Sequence, residues 1–455
     1  MENKANMQTE NKMGVMPVGR LIVTMSLPIM ISMLVQALYN VVDSMFVAQI
    51  DEYALTALSM AFPIQNLMIA VAVGLGVGIN AVLSRALGAG DREGVSHTAS
   101  SGMFLMALCA AAFMLGGATI VRPFFEAQTD IEPIIEYGVV YTRIVMLGSF
   151  GVFMQILFER LLQSTGRTFA TMVSQGLGAV INIVLDPILI FGLFGLPEMG
   201  VAGAALATVI GQWAGAAIGF YTNARMNPEV TMSRGTLAPH GPTIRRILAI
   251  GVPSVIMQSI GSVMTFCMNQ ILIAFSSTAV AVFGVYFKLQ SFIFMPVFGM
   301  NNGTVPIIAF NYGARKLERM IKTIKIGVSA VFVIMSLGTL LFQTMPDKLL
   351  MIFDASEEML RLGVPALRII SIHFPIAAIC IGMGSVFQAL GFSLYSMINS
   401  IIRQLVVLIP CAFALGRATG SVDSVWWAFL IAECCSLVLT GVFFTRIYQN
   451  VIRKL

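Results

Sequence analysis

Charge is scarce in this chain. Only 11% of its 455 residues are charged, 57% are hydrophobic, and the mean hydropathy is +0.87. No soluble domain of that size covers its surface with so few polar groups, so the chain belongs in a membrane. Its six cysteines, Cys109, Cys267, Cys380, Cys411, Cys434 and Cys435, fall inside apolar runs without the paired spacing of a metal site or a disulfide framework. They read as small core residues. His97, His240 and His373 are scattered, and no nucleophile, base and orienter come together, which leaves an intramembrane enzyme without support. A Gly-x-x-x-x-Gly-Lys-Ser/Thr phosphate loop is also missing, which argues against an ATP-driven pump. Neither a cofactor nor a nucleic-acid partner is expected; lipid surrounds the chain. The first twenty residues are polar and lead straight into a full-length apolar run. That pattern lacks the short apolar core and small-residue cleavage site of a removable leader, so the first span is expected to act as its own targeting signal.

Long apolar runs are abundant. Segments of about twenty apolar residues suit a bilayer's hydrocarbon thickness, and they fall at 20–46, 54–82, 96–121, 136–163, 169–194, 200–224, 244–274, 279–309, 322–343, 362–389, 395–416 and 424–446. The stretch 225–243 carries the prolines, glycines and charge of a linker. The division is therefore a tail 1–19, a first lobe 20–224, the linker 225–243, a second lobe 244–446 and a tail 447–455. Most of the 27 lysines and arginines sit on the side of the N-terminus, among them Arg20, Arg85, Arg92, Arg167, the linker arginines, Arg315, Lys316, Arg319, Lys322, Lys325, Arg453 and Lys454. The opposite connections hold Arg122, Lys348, Arg361 and Arg417 with the acids Asp51, Glu52, Glu126, Asp130, Glu132, Asp347, Asp354, Glu357 and Glu358. By the positive-inside rule the termini and the linker are cytoplasmic, and the cell membrane is the expected location.

The halves repeat. Pro28 and Pro253 lie 225 residues apart, and the same offset joins Gln65 to Gln290, Gly74 to Gly299, Gly78 to Gly303, Gly88-Ala89 to Gly313-Ala314, Arg143 to Arg368, Gln163 to Gln388 and Gly166 to Gly391. Six spans per half is an even number, so both halves start on one side. The fold class is then an all-α membrane protein of twelve transmembrane helices in two six-helix lobes related by a parallel repeat. Transporters built this way place substrate between or within lobes that rock against each other. Pro28, Pro187, Pro253, Pro296, Pro306, Pro375 and Pro410 each forfeit a backbone hydrogen bond, and as a set they predict helices that bend.

The costly residues are acids at membrane depth. Asn182 and Asp186, one helical turn apart before Pro187, sit inside the run from about Phe169 to Leu196, and a carboxylate there points to a functional site. Asp43 ends the run Leu21 to Val47, with Tyr39 and Asn40 on the preceding turn. Gly203-Ala-Ala-Leu-Ala-Thr208 offers a small-residue face with one hydroxyl. If Asp43 and Asp186 share a cavity, their oxygens together with Asn182 and Thr208 form a hard-ligand set for Na⁺, or hold a proton. The 31 methionines and 31 phenylalanines offer adaptable apolar and aromatic surface for lipophilic cations. Glu159 with Arg160, and Glu433 with Lys288 or Arg403, are further charged groups, for which internal ion pairs are the economical expectation.

Ser26-Leu-Pro28, Asp43 with Phe46-Val47, Gly88-Ala-Gly-Asp91, Gln163-Ser-Thr-Gly166, Asn182-Ile-Val-Leu-Asp186-Pro187, Gly203-Ala-Ala-Leu-Ala-Thr208, Gly251-Val-Pro253 and Asn311-Tyr-Gly-Ala314 together resemble the multidrug and toxic compound extrusion (MATE) family, over essentially the whole chain. The resemblance implies efflux of organic, often cationic, compounds in exchange for H⁺ or Na⁺, through a V-shaped pair of lobes in alternating access. A monomer is the expected working unit. It implies a cation site at Asp43, Asn182, Asp186 and Thr208, with Gln36, Tyr39, Gln175 and Asn182 for substrate and a helix bend at Pro28. NorM-like members carry further acids in spans seven and ten, whereas 244–274 and 362–389 here contain none. The chain is more similar to the DinF-like or MepA-like branch. A flippase for lipid-linked intermediates is the competing class; it would call for a more cationic central cavity.

Overall fold

A computed structural model describes residues 11–230, 238–353 and 355–454, apart from the side chains of Asn40, Val41, Ser44, Ala48, Glu52 and Lys454. Asn40, Glu52, Asp354 and Lys454, all named above, thus lie wholly or in part outside the described residues, as do residues 1–10 of the tail and 231–237 of the linker. Among the described residues the chain is helical, without strands. The first half holds α1 (Lys12–Val15), α2 (Val18–Ala48), α3 (Glu52–Gly88), α4 (Arg92–Thr119), α5 (Val121–Glu126), α6 (Glu132–Leu147), α7 (Phe150–Ser164), α8 (Thr168–Phe191) and α9 (Val201–Met226). The second holds α10 (Gly241–Ile273), α11 (Ser277–Gly313), α12 (Leu317–Thr344), α13 (Pro346–Met351), α14 (Glu357–Ser371), α15 (Phe374–Ala389), α16 (Ser393–Ile401), a π-helical stretch (Ile402–Leu408), α17 (Ile409–Thr419) and α18 (Val422–Asn450).

Ten of these segments are long and apolar enough to cross a bilayer, and two bent pairs bring the number to twelve when each pair counts as one span. The bent pairs, α6 with α7 at 45° and α14 with α15 at 49°, occupy the spans expected at 136–163 and 362–389, each as two helices. Their breaks fall at Gly148-Ser149 and Ile372-His373, matching places in the two halves. Two of the expected proline bends coincide with breaks, since Pro375 stands in the first turn of α15 after Ile372-His373 and Pro410 in the first turn of α17 after the π-helical stretch, whereas Pro28, Pro187, Pro253, Pro296 and Pro306 lie inside continuous helices. A proline inside a packed bundle can keep helical dihedrals when neighbouring helices hold the turn, whereas Gly148, with no side chain, leaves the backbone free to turn. The outward faces of the helices are strongly apolar, with Leu115, Phe169, Phe266 and Val438 each more than 60% exposed, as lipid contact requires.

The lobes meet through the glycines of the repeat. A methyl group at Gly74 would sit 2.6 Å from the Val255 backbone, and one at Gly299 would sit 2.6 Å from the Met30 backbone. Since 30 and 255 are themselves repeat partners, α3 packs on α10 as α11 packs on α2. Gly88 and Gly313 likewise allow α3 and α11 to cross backbone to backbone near their C-terminal ends. The starts of the two leading helices trade sides: Leu21, Ile22 and Met25 are buried in the second lobe's core, and Ile247 in the first lobe's.

The N-terminal segment fastens this face. Asn11 Nδ2 donates to Thr165 O (3.1 Å) and to Glu229 Oε1 (3.2 Å) of the first half. In the second half, Asn311, Lys316 and Arg319 donate to the carbonyls of Met13, Gly14 and Met16. Glu229 is also bonded to Arg167 at 2.8 Å, while burial and the neighbouring Arg167 charge push the Lys12 ammonium below its usual range. Further side-chain bonds between lobes, Ser26 to Met300 O, Arg160 to Asn302 and Asn66 to Ser262, run from this face to the middle of the helices. The lobes are therefore joined on the face that carries both chain ends.

Candidate functional site

The first-lobe site is assembled by α2, α8 and α9. Helical spacing puts Asn182 and Asp186 on one face of α8, and small residues bring α9 against that face. A methyl group at Gly211 would lie 2.7 Å from Gly178 O and 3.1 Å from the Asn182 Cβ, so only glycine permits this approach. Thr208 thereby reaches Asn182, whose Nδ2 lies 3.4 Å from Thr208 Oγ1 and 3.5 Å from Asp186 Oδ1. These are long contacts, at the outer limit of hydrogen bonding. Asp186, Asn182 and Thr208 are 0%, 3% and 8% exposed.

Helix α2 supplies the rest. Gln175 Nε2 donates to Gln36 Oε1 at 3.0 Å, and Tyr39 follows Gln36 by three residues on the same helix. Asp43 follows Tyr39 by one turn, and its charge acts on Asp186, so the two carboxylates occupy one electrostatic neighbourhood. All the residues named for cation and substrate thus lie in the first lobe, while Pro28, named for a helix bend, lies about four turns before Asp43, toward the joined face.

Four oxygens define the chemistry of this neighbourhood. Asp43 Oδ1, Asp186 Oδ2, Asn182 Oδ1 and Gln212 Oε1, one turn beyond Thr208 on α9, are buried and accept no hydrogen bond among the described residues. None of the ion pairs found among the described residues involves Asp43 or Asp186. Buried acceptors without donors are unfavourable unless a donor or a cation meets them. A donor or a cation placed among these oxygens would remove that cost.

Two further groups were not picked out by their sequence context. Tyr141 on α6 is 2% exposed, receives a bond from Gln65 Nε2 at 3.1 Å, and feels the charges of both Asp43 and Asp186. Gln212 was hidden by its apolar surroundings. The one available signal for it was its i, i+4 spacing from Thr208.

Of the other charged candidates, Glu159 accepts a bond from Gln155 (3.0 Å), and Arg160 donates to Gln163 (2.8 Å) and across to Asn302. Glu433 pairs with Arg403, at 3.3 Å. Lys288 stands apart from that pair, over the Phe353 ring at 5.8 Å.

Twelve spans in two repeated lobes, joined at one face and holding a donor-poor polar cluster among apolar helices, make up a membrane transporter. The MatE family model matches residues 28–188 and again 253–414, so the chain belongs to the MATE family, and the two matches reproduce the 225-residue offset. The chain is 28% identical over 428 residues to the multidrug export protein MepA of Staphylococcus haemolyticus, covering 92% of each. It is 26% identical over 401 residues to the probable multidrug resistance protein NorM of Thermotoga maritima, covering 87% of this chain and 85% of that one. Its fold superposes on the crystal structure of a MATE in complex with MaL6 with a TM-score of 0.91 and 25% identity, over 98% of this chain and 100% of that one.

Proposed function

We propose that this chain is a multidrug efflux transporter that exports organic, often cationic, compounds in exchange for H⁺ or Na⁺, with the exchanged cation bound at Asp43, Asn182, Asp186 and Thr208. The observation that carries this reading is the set of buried oxygens on α2, α8 and α9 with no donor to satisfy them. Two carboxylates sharing a cavity of low dielectric repel one another, and a small cation or a proton relieves both the repulsion and the desolvation. Gln36, Tyr39 and Gln175 lie beside the acids and offer amide and aromatic contacts for an organic cation. Drug and coupling ion then compete for the same negative charge, which is the elementary requirement of exchange.

The joined face supports an outward-open state within such a cycle. With contacts on the face carrying both chain ends, taken as cytoplasmic from the lysine and arginine bias, the space between the lobes would open to the outside. Reversing it requires α3 and α11, and the α2/α11 and α3/α10 pairs, to part at their glycine contacts. The lobes 20–224 and 244–446 are taken as the moving bodies and 225–243 as the tether between them, within a monomer in the cell membrane.

The test is ethidium transport in reconstituted vesicles under separately imposed proton and sodium gradients, repeated with Asp43→Asn and Asp186→Asn. One gradient should drive export, and each variant should abolish that drive. Wild-type rates in both variants at matched protein levels would refute the proposed site.

A further inference from the structure

The second lobe contains a polar cavity of its own. It has a volume of about 90 Å³, and its lining includes Met264, Tyr286, Gln290, His373, Arg403 and Glu433. Met264 and Gln290 stand 225 residues after Tyr39 and Gln65, so this cavity is the repeat-related counterpart of the first-lobe site. Its charges are arranged differently. We propose that it is a second binding site, which takes the carboxylate of an aromatic organic anion on the Arg403 guanidinium. The proposal stands whether or not the first-lobe acids carry the coupling.

The guanidinium is available. Arg403 lies in the π-helical stretch Ile402–Leu408, which directly precedes Pro410, a residue without an N–H to hold a regular turn; π-helical segments of this kind often mark functional sites. One nitrogen, Nη1, contacts both Glu433 oxygens, at 3.3 and 3.4 Å. An arginine has five N–H donors. The remaining nitrogens of Arg403 are absent from the buried, unpartnered atoms, whereas Nε of Arg160, Arg167 and Arg319 is among them. The Arg403 side chain is 21% exposed while that of Glu433 is 5% exposed. Its free N–H groups therefore open onto accessible space, in the planar fork that suits a carboxylate.

The surroundings choose the ligand. Glu433 already has its positive partner, so an added cation would gain little there. A dianion would set two charges against Glu433 in a cavity too small to hydrate them, which leaves a monoanionic head. Gln290 Oε1 is buried without a donor and can accept from a hydroxyl or N–H beside that head. The aromatic groups Phe287, Phe294 and Phe429 also line the cavity. The His373 ring stacks on Phe429 at 5.7 Å with its Nδ1 donating to Ile370 O, which holds the aromatic wall in place. The cavity, open on one side, takes the anionic head, and a flat aromatic body would lie across its mouth against such rings.

The experiment measures equilibrium binding of radiolabelled 1-naphthoate, and of its neutral isostere 1-naphthamide by competition, to the full chain in lipid nanodiscs. Naphthoate should bind at least tenfold more tightly than naphthamide. Arg403→Gln should weaken it at least tenfold, and so should the double variant Arg403→Gln/Glu433→Gln, which leaves no lone buried charge and so separates lost recognition from lost folding. Glu433→Gln alone should tighten naphthoate binding about threefold or more by freeing Nη1, an outcome that a purely structural ion pair does not give. Asp186→Asn should leave naphthoate affinity unchanged. Equal binding of naphthoate and naphthamide, or full naphthoate affinity in the double variant, would overturn the proposal. Loss of naphthoate binding in Asp186→Asn with full retention in Arg403→Gln would also overturn it, by placing the probe in the first lobe and leaving the export reading intact.

Discussion

The two lobes share a backbone plan and differ in how they treat buried charge. In the first, Asp43 and Asp186 lie in one neighbourhood without a basic partner, and four oxygens there lack donors. In the second, at the corresponding place, Tyr39 and Asp43 give way to Met264 and Met268, and the one carboxylate, Glu433, comes from α18 with Arg403 bonded to it. Repeat symmetry fixes where the polar cluster falls; a few side chains then decide whether its acids are left without a basic partner or are internally neutralised. In the proposed exchange the uncompensated cluster is the useful one, because a bound cation would remove a cost that the protein otherwise bears. The neutral one has no such need.

The sharpest way to break this contrast is to neutralise one buried charge in each lobe and compare the effects. Asp186→Asn should lower gradient-driven ethidium export at least tenfold while leaving the melting temperature in detergent unchanged or higher, since it removes a buried charge that had no partner. Arg403→Gln should do the reverse in stability: stranding Glu433 costs about 3–5 kcal/mol, and the double variant with Glu433→Gln should recover most of that loss. Thermal unfolding of the three variants checks the ordering; a loss in Asp186→Asn as large as that in Arg403→Gln would erase the distinction between the lobes.

A smaller effect comes from the interface that both lobes share. Gly299→Leu forces a side chain into the Met30 backbone, so the lobes should separate on the joined face, and a cysteine placed at Ser26 should react with a membrane-impermeant maleimide several-fold faster in inverted vesicles. The smallest concerns the N-terminal fastening. Arg319→Ala removes the bonds to Met13 O and Met16 O and should cost about 1–3 kcal/mol for these charge-assisted bonds, read as a modest fall in melting temperature. No fall at all would show that residues 11–16 do not help hold the lobes together.

Much of the architecture was legible in the chain itself. The apolar runs gave the spans, and the matching glycines and prolines gave the repeat, which the two family matches reproduce. The motif Asn182 to Asp186 named one face of α8 because i, i+4 spacing is a property of any helix. Gln65 and Tyr141 were not legible as a pair, since they are 76 residues apart on α3 and α6. Nor could spacing choose between Lys288 and Arg403 as the partner of Glu433. Hydropathy runs unbroken through Gly148-Ser149 and Ile372-His373 and so carries no sign of those breaks; among the prolines, Pro375 marks one of them, while Pro28, Pro187, Pro253, Pro296 and Pro306 lie in turns that neighbouring helices keep intact.

The sequence by itself determined that this protein lies in a membrane, that it has two halves of one design, and that two acids sit where a bilayer makes them costly, because hydropathy and helical periodicity are local properties. Only the tertiary structure decided which glycines face the opposite lobe, which acid has a basic partner, and which buried oxygens are left without a donor. Those outcomes depend on contacts between helices far apart in the chain, and local spacing carries no information about them.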